Sequence, residues 1–178
     1  MVYKMENKKT KKIIKEIISY IIIIVVVLLV KTYIFTPIKV NGSSMEPTLK
    51  HGDIMILNEI GYHLNGVERF DIVVVNVNGE RIIKRVIGLP GDSVEYRDSK
   101  LYINEEEVLE KFISEDTLDF SVSKELGYEV IPDDYYFVVG DNRDNSVDSR
   151  IIGLVNSKQI MGKTSFVIYP FKKFGNVN

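Results

Sequence analysis

The sequence predicts a mostly β domain that follows a single membrane-spanning helix. After Pro37 the chain consists of short runs of β-branched and aromatic residues separated by turn-forming residues, a pattern typical of strands. Before that point, residues 17–35 are almost entirely apolar. As a helix they would extend roughly 28 Å, close to the hydrocarbon thickness of a bilayer. We therefore expect residues 36–178 to form a compact barrel or folded sheet behind a membrane anchor.

The residues that flank the apolar segment predict its orientation. Six lysines and two glutamates give residues 1–16 a charge of +4, and this excess of lysine places the N-terminus in the cytoplasm. Lys31 and Tyr33 lie near the far end, where both side chains suit the bilayer interface. A cleavable signal peptide also has a basic front, but no small-x-small cleavage site follows here. We expect a retained anchor over residues 17–35, with the domain that follows outside the cytoplasm.

The composition excludes several classes of protein. The net charge of the chain is −2, and without the +4 front −6 remains for residues 17–178. An acidic ectodomain gives no support for nucleic-acid binding. The chain has no cysteine, so it has no disulfides and no thiol chemistry, and we expect no metal or cofactor. His51 and His63 fall in turn or loop sequence, so we expect them at the surface rather than in a Ser-His-Asp site.

The main strands are predicted from five runs in the sequence. They are Asp53–Asn58, Phe70–Val77, Ile82–Gly88, Tyr135–Val139 and Ser165–Tyr169. Asn78-Gly79 separates the second run from the third, and it is the strongest hairpin signal in the chain. We expect these two strands to pair antiparallel around it. Asp98-Ser99 predicts a second, weaker turn before a short strand at Leu101–Ile103.

Residues 104–131 differ from the rest of the domain because acidic residues are scattered among the apolar ones. The acidic residues include Glu105, Glu106, Glu107, Glu110, Glu115, Asp116 and Asp119. Such a segment is more often a solvated face than a binding site. We expect an insertion or a surface subdomain here.

The predicted strand Ile82–Gly88 carries two charged residues in an apolar sequence. Alternation places Lys84 on one face and Arg85 on the other, each among isoleucine and valine neighbours. Burial disfavours a charged lysine, and lowering the pKa of a lysine by roughly 3 requires on the order of 4 kcal/mol of desolvation. Arg85 would stay protonated and need a carboxylate partner. The alternative is an edge strand from which Lys84 reaches water.

Ser44 lies in the segment Ser44-Met45-Glu46-Pro47-Thr48-Leu49, just after the predicted anchor. A serine can attack an amide when a base is nearby, and a neutral buried lysine can be that base. Ser43 and Glu46 also match a helix capping box, with Pro47 early in the following turn. The two interpretations are compatible, because a serine near a helix start is exposed and close to free backbone N–H groups.

A polar loop runs from Gly140 to Arg150. Its three aspartates could bind a metal ion, but their spacing does not match an EF-hand, and Arg143 and Arg150 would oppose a cation. Mutual pairing of arginine with aspartate fits the composition better. Some of these side chains could also hold Arg85 or orient Lys84.

Taken together and in this order, these segments resemble the bacterial type I signal peptidases, which are membrane-anchored Ser/Lys proteases that remove signal peptides from exported proteins. The resemblance covers the anchor and four motifs: Ser44 to Leu49, Gly52-Asp53-Ile54, Lys84 to Asp92, and Gly140 to Arg150. Residues 104–131 are its weakest part. The β-rich fold of that family agrees with the strands predicted above.

The resemblance implies catalytic and supporting roles for the matching residues. Ser44 would be the nucleophile and Lys84 the general base. Ser146 would hydrogen-bond Lys84 and orient it. Two structural ion pairs are implied beside the site, namely Arg85 with Asp141 and Asp148 with Arg150.

The resemblance also implies the residues that meet the substrate. Val40 and Ile83 would shape shallow pockets for small side chains, and Met45 would lie at the membrane-facing end. Gly42 occupies a position where some members of the family have a serine that donates its hydroxyl to the oxyanion hole. The backbone N–H of Ser44 can supply one donor, and the second donor stays unassigned.

The implied activity is endoproteolysis through an acyl-enzyme, with cleavage after a small residue and without a metal. The implied partners are preproteins that carry a signal peptide and the lipid bilayer of the cell membrane, which the chain would cross once. Two alternatives belong to other classes. A self-cleaving repressor-type Ser/Lys protease is disfavoured by the anchor and the lack of a DNA-binding front. A catalytically silent, membrane-tethered scaffold is disfavoured by the intact Ser44, Lys84 and Ser146.

Overall fold

The computed structural model describes residues 12–27, 36–113 and 115–177, in two compact units, Met1–Thr36 and Pro37–Asn178. Residues 12–27 form a helix, α1, with exposed side chains. Within the described ranges, no helix has both the length and the apolar character needed to cross a membrane. The predicted span over 17–35 is only partly described, because residues 28–35 lie outside the described residues, as do residues 1–11 of the predicted cytoplasmic segment.

The second unit is mostly β, as predicted. Its strands, in chain order, are β1 (Thr36–Lys39), β2 (Ile54–Asn58), β3 (Ile72–Val77), β4 (Glu80–Gly88), β5 (Val94–Arg97), β6 (Lys100–Ile103), β7 (Glu106–Val108), β8 (Phe120–Ser121), β9 (Tyr135–Val139), β10 (Val155–Asn156), β11 (Ile160–Tyr169) and β12 (Gly175–Asn176). The α-helices in this unit are α2 (Glu59–Asn65), α3 (Val122–Leu126) and α4 (Ser149–Ile152). Two short 3-10 helices complete the elements, Ser157–Gln159 and Phe171–Lys173.

The strands form two sheets. The larger sheet has the order β1-β2-β11-β3-β4-β9-β10, with β12 paired to β11. The smaller sheet has the order β7-β6-β5-β8. Within the larger sheet β4 lies between β3 and β9, so that neighbouring strands cover both of its edges. The alternative in which Lys84 reaches water from an edge strand is therefore wrong.

The predicted Asn78-Gly79 hairpin is confirmed. Val77 pairs with Glu80 across the two-residue turn, and Val73 pairs with Lys84 farther along. The φ angles of Asn78 and Gly79 are 53° and 90°, the left-handed geometry that a two-residue hairpin requires. The weaker turn at Asp98-Ser99 is confirmed as well, since it joins β5 to β6.

The last predicted strand, Ser165–Tyr169, is part of a longer one. β11 begins at Ile160 and pairs antiparallel with both β2 and β3. Gly162 and Lys163 interrupt the apolar pattern, so the sequence predicted only the C-terminal half. At Gly162 a Cβ would lie 3.0 Å from the backbone oxygen of Asn58, so a small residue allows β2 to approach β11 there.

The acidic region 104–131 contributes to the smaller sheet and its core. It supplies β7, β8 and α3. Val122 and Ile131 from this region pack with side chains of the larger sheet such as Ile87 and Phe137. Glu105, Glu106 and Glu107 are exposed. The apolar residues in this region therefore connect it to the larger sheet.

Candidate active site

The connection between β1 and β2 carries Ser44. Val40 and Asp53 form a backbone hydrogen bond of 2.8 Å that brings the two ends of this connection together. Between them, residues 43–49 form successive turns, with the N–H of Leu49 donating to the carbonyl of Met45 over 2.8 Å. Met45 and Leu49 are buried and fix the turns to the core, which leaves Ser44 half-buried at the surface of the site.

No capping box forms at Ser43 and Glu46, because the segment is a series of turns rather than a helix. The Ser43 hydroxyl instead accepts a hydrogen bond of 2.9 Å from the Asn145 side chain. The capping interpretation is therefore wrong. The contact links the turns around Ser44 to the loop that follows β9.

Lys84 meets Ser44 directly. The Nζ of Lys84 lies 2.7 Å from the Oγ of Ser44, within hydrogen-bond distance. Lys84 is 3% exposed, and its strand β4 is an inner strand of the larger sheet, between β3 and β9. A serine hydroxyl and a buried amine at this distance can exchange a proton.

Burial lowers the pKa of Lys84 from its ordinary value of 10.5 to about 8. Desolvation is the largest cause, since it disfavours the ammonium form. The charges nearby act in both directions. Asp148 and Asp141 raise the pKa of Lys84, while Arg150 lowers it. The amine therefore loses its proton at a pH at which an ordinary lysine keeps it.

Arg85 points into a separate buried contact with Asp141. Its Nε and Nη2 donate to the two carboxylate oxygens of Asp141 over 2.8 and 2.7 Å, and the side chains are 2% and 0% exposed. The Nη1 of Arg85 donates to the carbonyl of Phe70 over 2.9 Å, and its guanidinium lies 3.9 Å from the centre of the Phe112 ring. The ion pair that the resemblance implied is present, and each of the three guanidinium nitrogens of Arg85 donates a hydrogen bond.

The strand register explains why Asp141 meets Arg85. Arg85 pairs with Val139 on β9, so the loop that starts at Gly140 emerges beside β4. Thr48 adds a bond that the sequence reasoning missed, since its hydroxyl donates to Asp141 over 2.6 Å. The available signal was the position of Thr48 within the same motif as Ser44. Asp141 therefore joins the segment around Ser44 to β4.

The second implied ion pair is also present. Nη2 of Arg150 lies 2.9 Å from Oδ2 of Asp148, whose side chain is 0% exposed. The N–H of Gly140 also donates to that oxygen over 3.0 Å. Burial raises the pKa of Asp148, but the hydrogen bonds from Arg150 and Gly140 outweigh it and leave this pKa below its ordinary value. Asp148 is therefore a fixed negative charge close to Lys84.

Ser146 does not make the hydrogen bond to Lys84 that the resemblance implied. Its Oγ is buried and, among the described residues, makes no hydrogen bond of good geometry, although it lies close enough to Asp148 to help lower the pKa of that carboxyl. The hydroxyl lies against Gly140, where an added Cβ would collide with it and with the carbonyl oxygen of Ser44. Ser146 is therefore at the site, but in this conformation its hydroxyl is not bonded to the amine.

The partner of Arg143 differs from the pairing with aspartate that was predicted for the loop from Gly140 to Arg150. Arg143 does not pair with an aspartate of its own loop but with Glu110, over 2.7 and 3.1 Å. The expectation that Glu110 belongs to a solvated face is wrong, since its side chain is 4% exposed. Thr117 also accepts from Arg143, over 2.8 Å. No local sequence pattern predicts that Arg143 binds Glu110 and Thr117, because these residues are 33 and 26 positions away in the sequence.

The proposed substrate-binding residues lie close to one another, but not all are accessible. Val40, Met45 and Ile83 are 2, 1 and 8% exposed and belong to one apolar cluster. Met45, which the resemblance placed at the membrane-facing end, packs its side chain in this core. Gly42 is exposed with φ 86°, and its N–H donates to Nδ1 of the exposed His51 over 3.1 Å.

Comparisons with known proteins agree on one family. A family model described as signal peptidase, peptidase S26, matches residues 11–169. Signal peptidase I S of Bacillus subtilis is 41% identical over 157 residues, 84% of this chain and 85% of that protein. Signal peptidase IB of Staphylococcus aureus is 41% identical over 160 residues, 82% of this chain and 83% of that protein.

A solved structure supports the same relationship. The crystal structure of a signal peptidase I from Enterococcus faecalis is similar to 55% of this chain and 95% of that one, with 40% identity and a TM-score of 0.51. The matched family model and relatives cover most of the chain, including the turn that carries Ser44 and the strand that carries Lys84. This chain therefore belongs to the signal peptidase family, peptidase S26.

Proposed function

We propose that this protein is a serine endopeptidase that removes signal peptides from exported preproteins, with Ser44 as nucleophile and Lys84 as general base. One observation carries the assignment of the residues. The Ser44 hydroxyl and the Lys84 amine lie 2.7 Å apart in a buried environment that favours the neutral amine. In a member of this peptidase family, such a pair supplies both parts of an activated nucleophile.

The chemistry follows from the two side chains. Neutral Lys84 accepts the proton from Ser44 as Oγ attacks the carbonyl carbon of the scissile bond. The tetrahedral intermediate collapses as the amide C–N bond breaks, and the ammonium of Lys84 gives the proton to the departing amine of the mature protein. An ester between Ser44 and the signal peptide remains. A water that gives its proton to Lys84 then hydrolyses the ester and restores Ser44.

The developing oxyanion requires hydrogen-bond donors beside Ser44. The backbone N–H of Ser44 is one candidate. Gly42 offers no hydroxyl, and its N–H already donates to His51. The Ser43 hydroxyl accepts a hydrogen bond from the Asn145 side chain, and we assign no second donor.

The neighbouring apolar surface suits a substrate with small side chains. Val40 and Ile83 are almost fully buried in the cluster beside Ser44, so little apolar surface is left for a large side chain. We assign them to shallow pockets for small residues such as alanine before the scissile bond. Gly42 would allow the substrate backbone to approach, since nothing lies within 4 Å of a Cβ placed there.

The same proposal includes a membrane topology. Residues 17–35 form the anchor, residues 1–16 lie in the cytoplasm, and residues 36–178 form the catalytic domain on the outer side. The apolar sequence of 17–35 and the lysine-rich front support this division. An anchored enzyme would meet its substrates where their cleavage sites emerge from the bilayer.

Cleavage of a purified preprotein by the full chain in detergent micelles tests the assignment. Ser44→Ala and Lys84→Ala should each lower kcat at least about a thousandfold, because a nucleophile and its base act as a unit. Lys50→Ala, which removes an exposed lysine close to Ser44 in sequence, is the matched control and should cleave at close to the rate of the unaltered protein. Cleavage by Ser44→Ala or Lys84→Ala at the unaltered rate would exclude the dyad.

A further inference from the structure

We propose that Glu110 is a positioning residue for Ser44, acting through Arg143 and the loop that follows β9. The inference deepens the proposed function and rests on it, since it concerns how the nucleophile is held. Glu110 comes from the acidic region between β7 and β8, far from Ser44 in sequence. It would therefore give this region a role in the geometry of the site.

Glu110 holds Arg143 in a fully buried, two-pronged ion pair. Oε1 and Oε2 of Glu110 accept from Nη2 and Nη1 of Arg143 over 2.7 and 3.1 Å, and the side chains are 4% and 1% exposed. The Tyr96 hydroxyl donates to Oε1 of Glu110 over 3.2 Å. The Thr117 hydroxyl accepts from Arg143 over 2.8 Å. These contacts fix the orientation of the planar guanidinium, because Nη1 and Nη2 are both bound to side chains from the segment between β7 and β8.

Arg143 transmits this orientation to the backbone of its own loop. Its Nε donates to the carbonyl of Gly140 over 3.0 Å. Its own carbonyl accepts from Nη2 of Arg150 over 2.8 Å. Residues 140–143 are therefore held at both ends by charged donors.

The loop in turn holds the peptide group of the nucleophile. The N–H of Asn142 donates to the carbonyl of Ser44 over 3.1 Å. At Gly140 there is no space for a Cβ, because it would meet both that carbonyl and the Ser146 hydroxyl. A shift of the loop therefore moves the Ser44 backbone, from which its hydroxyl projects toward Lys84.

A neighbouring glutamate, Glu107, lacks such a connection. Glu107 is bound to Lys100 over 2.9 Å, and the two side chains are 49% and 53% exposed. The pair lies on the solvated face of β6 and β7. Glu107→Gln is thus a matched control for Glu110→Gln, since both remove one charge from the same region.

Removal of the Glu110 charge should lower kcat without raising KM. A nucleophile displaced by about 1 Å from its productive position can lose about a hundredfold in rate, and we expect Glu110→Gln to lose about tenfold to a hundredfold in kcat. The substrate pockets contain no residue of this network, so KM should stay unchanged. Glu107→Gln should change neither parameter.

Amide hydrogen exchange in residues 140–145 gives a second readout that does not depend on cleavage. Exchange should become at least about tenfold faster in this segment of Glu110→Gln, while that of β3 and β4 stays as in the unaltered full chain. A double variant, Glu110→Leu with Arg143→Met, serves as a second test in case Glu110→Gln destabilises the whole domain. An apolar pair can replace a buried ion pair without loss of stability, but it cannot bind the Gly140 carbonyl.

The outcomes separate the two proposals. The inference holds if exchange accelerates in 140–145 alone and kcat falls in Glu110→Gln or in the double variant. It is overturned if kcat and loop exchange stay as in the unaltered protein, or if exchange accelerates throughout the domain, which would mean a general stabilising role. If the loop loosens as expected but the unaltered protein cleaves no preprotein, the proposed function fails, while the finding that Glu110 fixes the loop at residues 140–145 stands.

Discussion

Replacing Lys84 with methionine should stabilise the fold at neutral pH while abolishing activity. Burial lowers the pKa of Lys84 from 10.5 to about 8. At about 1.36 kcal/mol for each pKa unit, this difference corresponds to about 3 kcal/mol by which the fold disfavours the charged amine. Methionine is similar in length, flexible and uncharged, so Lys84→Met removes that penalty.

The lost hydrogen bond offsets part of the gain. Lys84 and Ser44 are 2.7 Å apart, and a single hydrogen bond contributes about 1 kcal/mol to stability. The expected net increase in the free energy of unfolding at pH 7 is therefore about 2 kcal/mol. The proposed base would be less costly to the fold as an apolar residue, as expected where activity and stability are in conflict.

The advantage of Lys84→Met should disappear in alkali. The lysine titrates near 10.5 in the unfolded chain and near 8 in the folded one, so between these pH values the unfolded state binds more protons. The stability of the unaltered protein therefore rises with pH across this range. The full cost of burying the charged amine applies only below about pH 8. Near the alkaline end of the range only the missing hydrogen bond remains, and Lys84→Met should be less stable by about 1 kcal/mol.

Urea unfolding of the full chain in detergent micelles, followed by circular dichroism at pH 7 and pH 10.5, measures this change. Other titrating groups are common to both proteins and cancel in the difference. Ser44→Ala is the control, since it removes the same hydrogen bond but keeps the amine. It should lose about 1 kcal/mol at pH 7. A destabilised Lys84→Met at pH 7, or a difference that is equal at both pH values, would refute the reasoning.

Three further predictions concern the same site. The kcat/KM for preprotein cleavage should rise about tenfold per pH unit below about pH 8 and level off above it, because only neutral Lys84 accepts the proton; a flat profile would count against a lysine base. Asp141→Asn should lower the free energy of unfolding by about 3 kcal/mol in urea, because it leaves the buried charge of Arg85 without its carboxylate, and a loss under about 1 kcal/mol would contradict this. Gly140→Ala should lower kcat at least about tenfold, because the added Cβ collides with the Ser44 carbonyl; cleavage at the unaltered rate would show that the loop can move aside.

Local sequence patterns predicted much of the fold. The Asn78-Gly79 turn fixed the pairing of β3 with β4, because a two-residue loop with left-handed geometry allows one register. That register buries Lys84 and Arg85 on neighbouring positions of one strand. Where a polar residue interrupts the apolar run, as at Lys163 in β11, the same approach predicted too short a strand.

Contacts between distant segments could not be predicted in this way. Glu110 belongs to an acidic run whose other members at 105–107 are exposed, and only the packing of the smaller sheet buries it against Arg143. Met45 is buried for the same reason, since the turns after Ser44 place it in the core. The Ser146 hydroxyl lies beside Gly140 and is not bonded to Lys84. Its position depends on the side-chain conformation, which the sequence pattern does not specify.

The sequence by itself determined which residues are available for chemistry and that the domain is mostly β, because strand patterns, turn residues and charge are local properties. It also predicted the two ion pairs through resemblance to a family. Only the tertiary structure brought Ser44 to within 2.7 Å of Lys84 and gave the amine its low pKa. The physical reason is that desolvation depends on everything packed around a side chain, and no segment of this chain buries Lys84 alone.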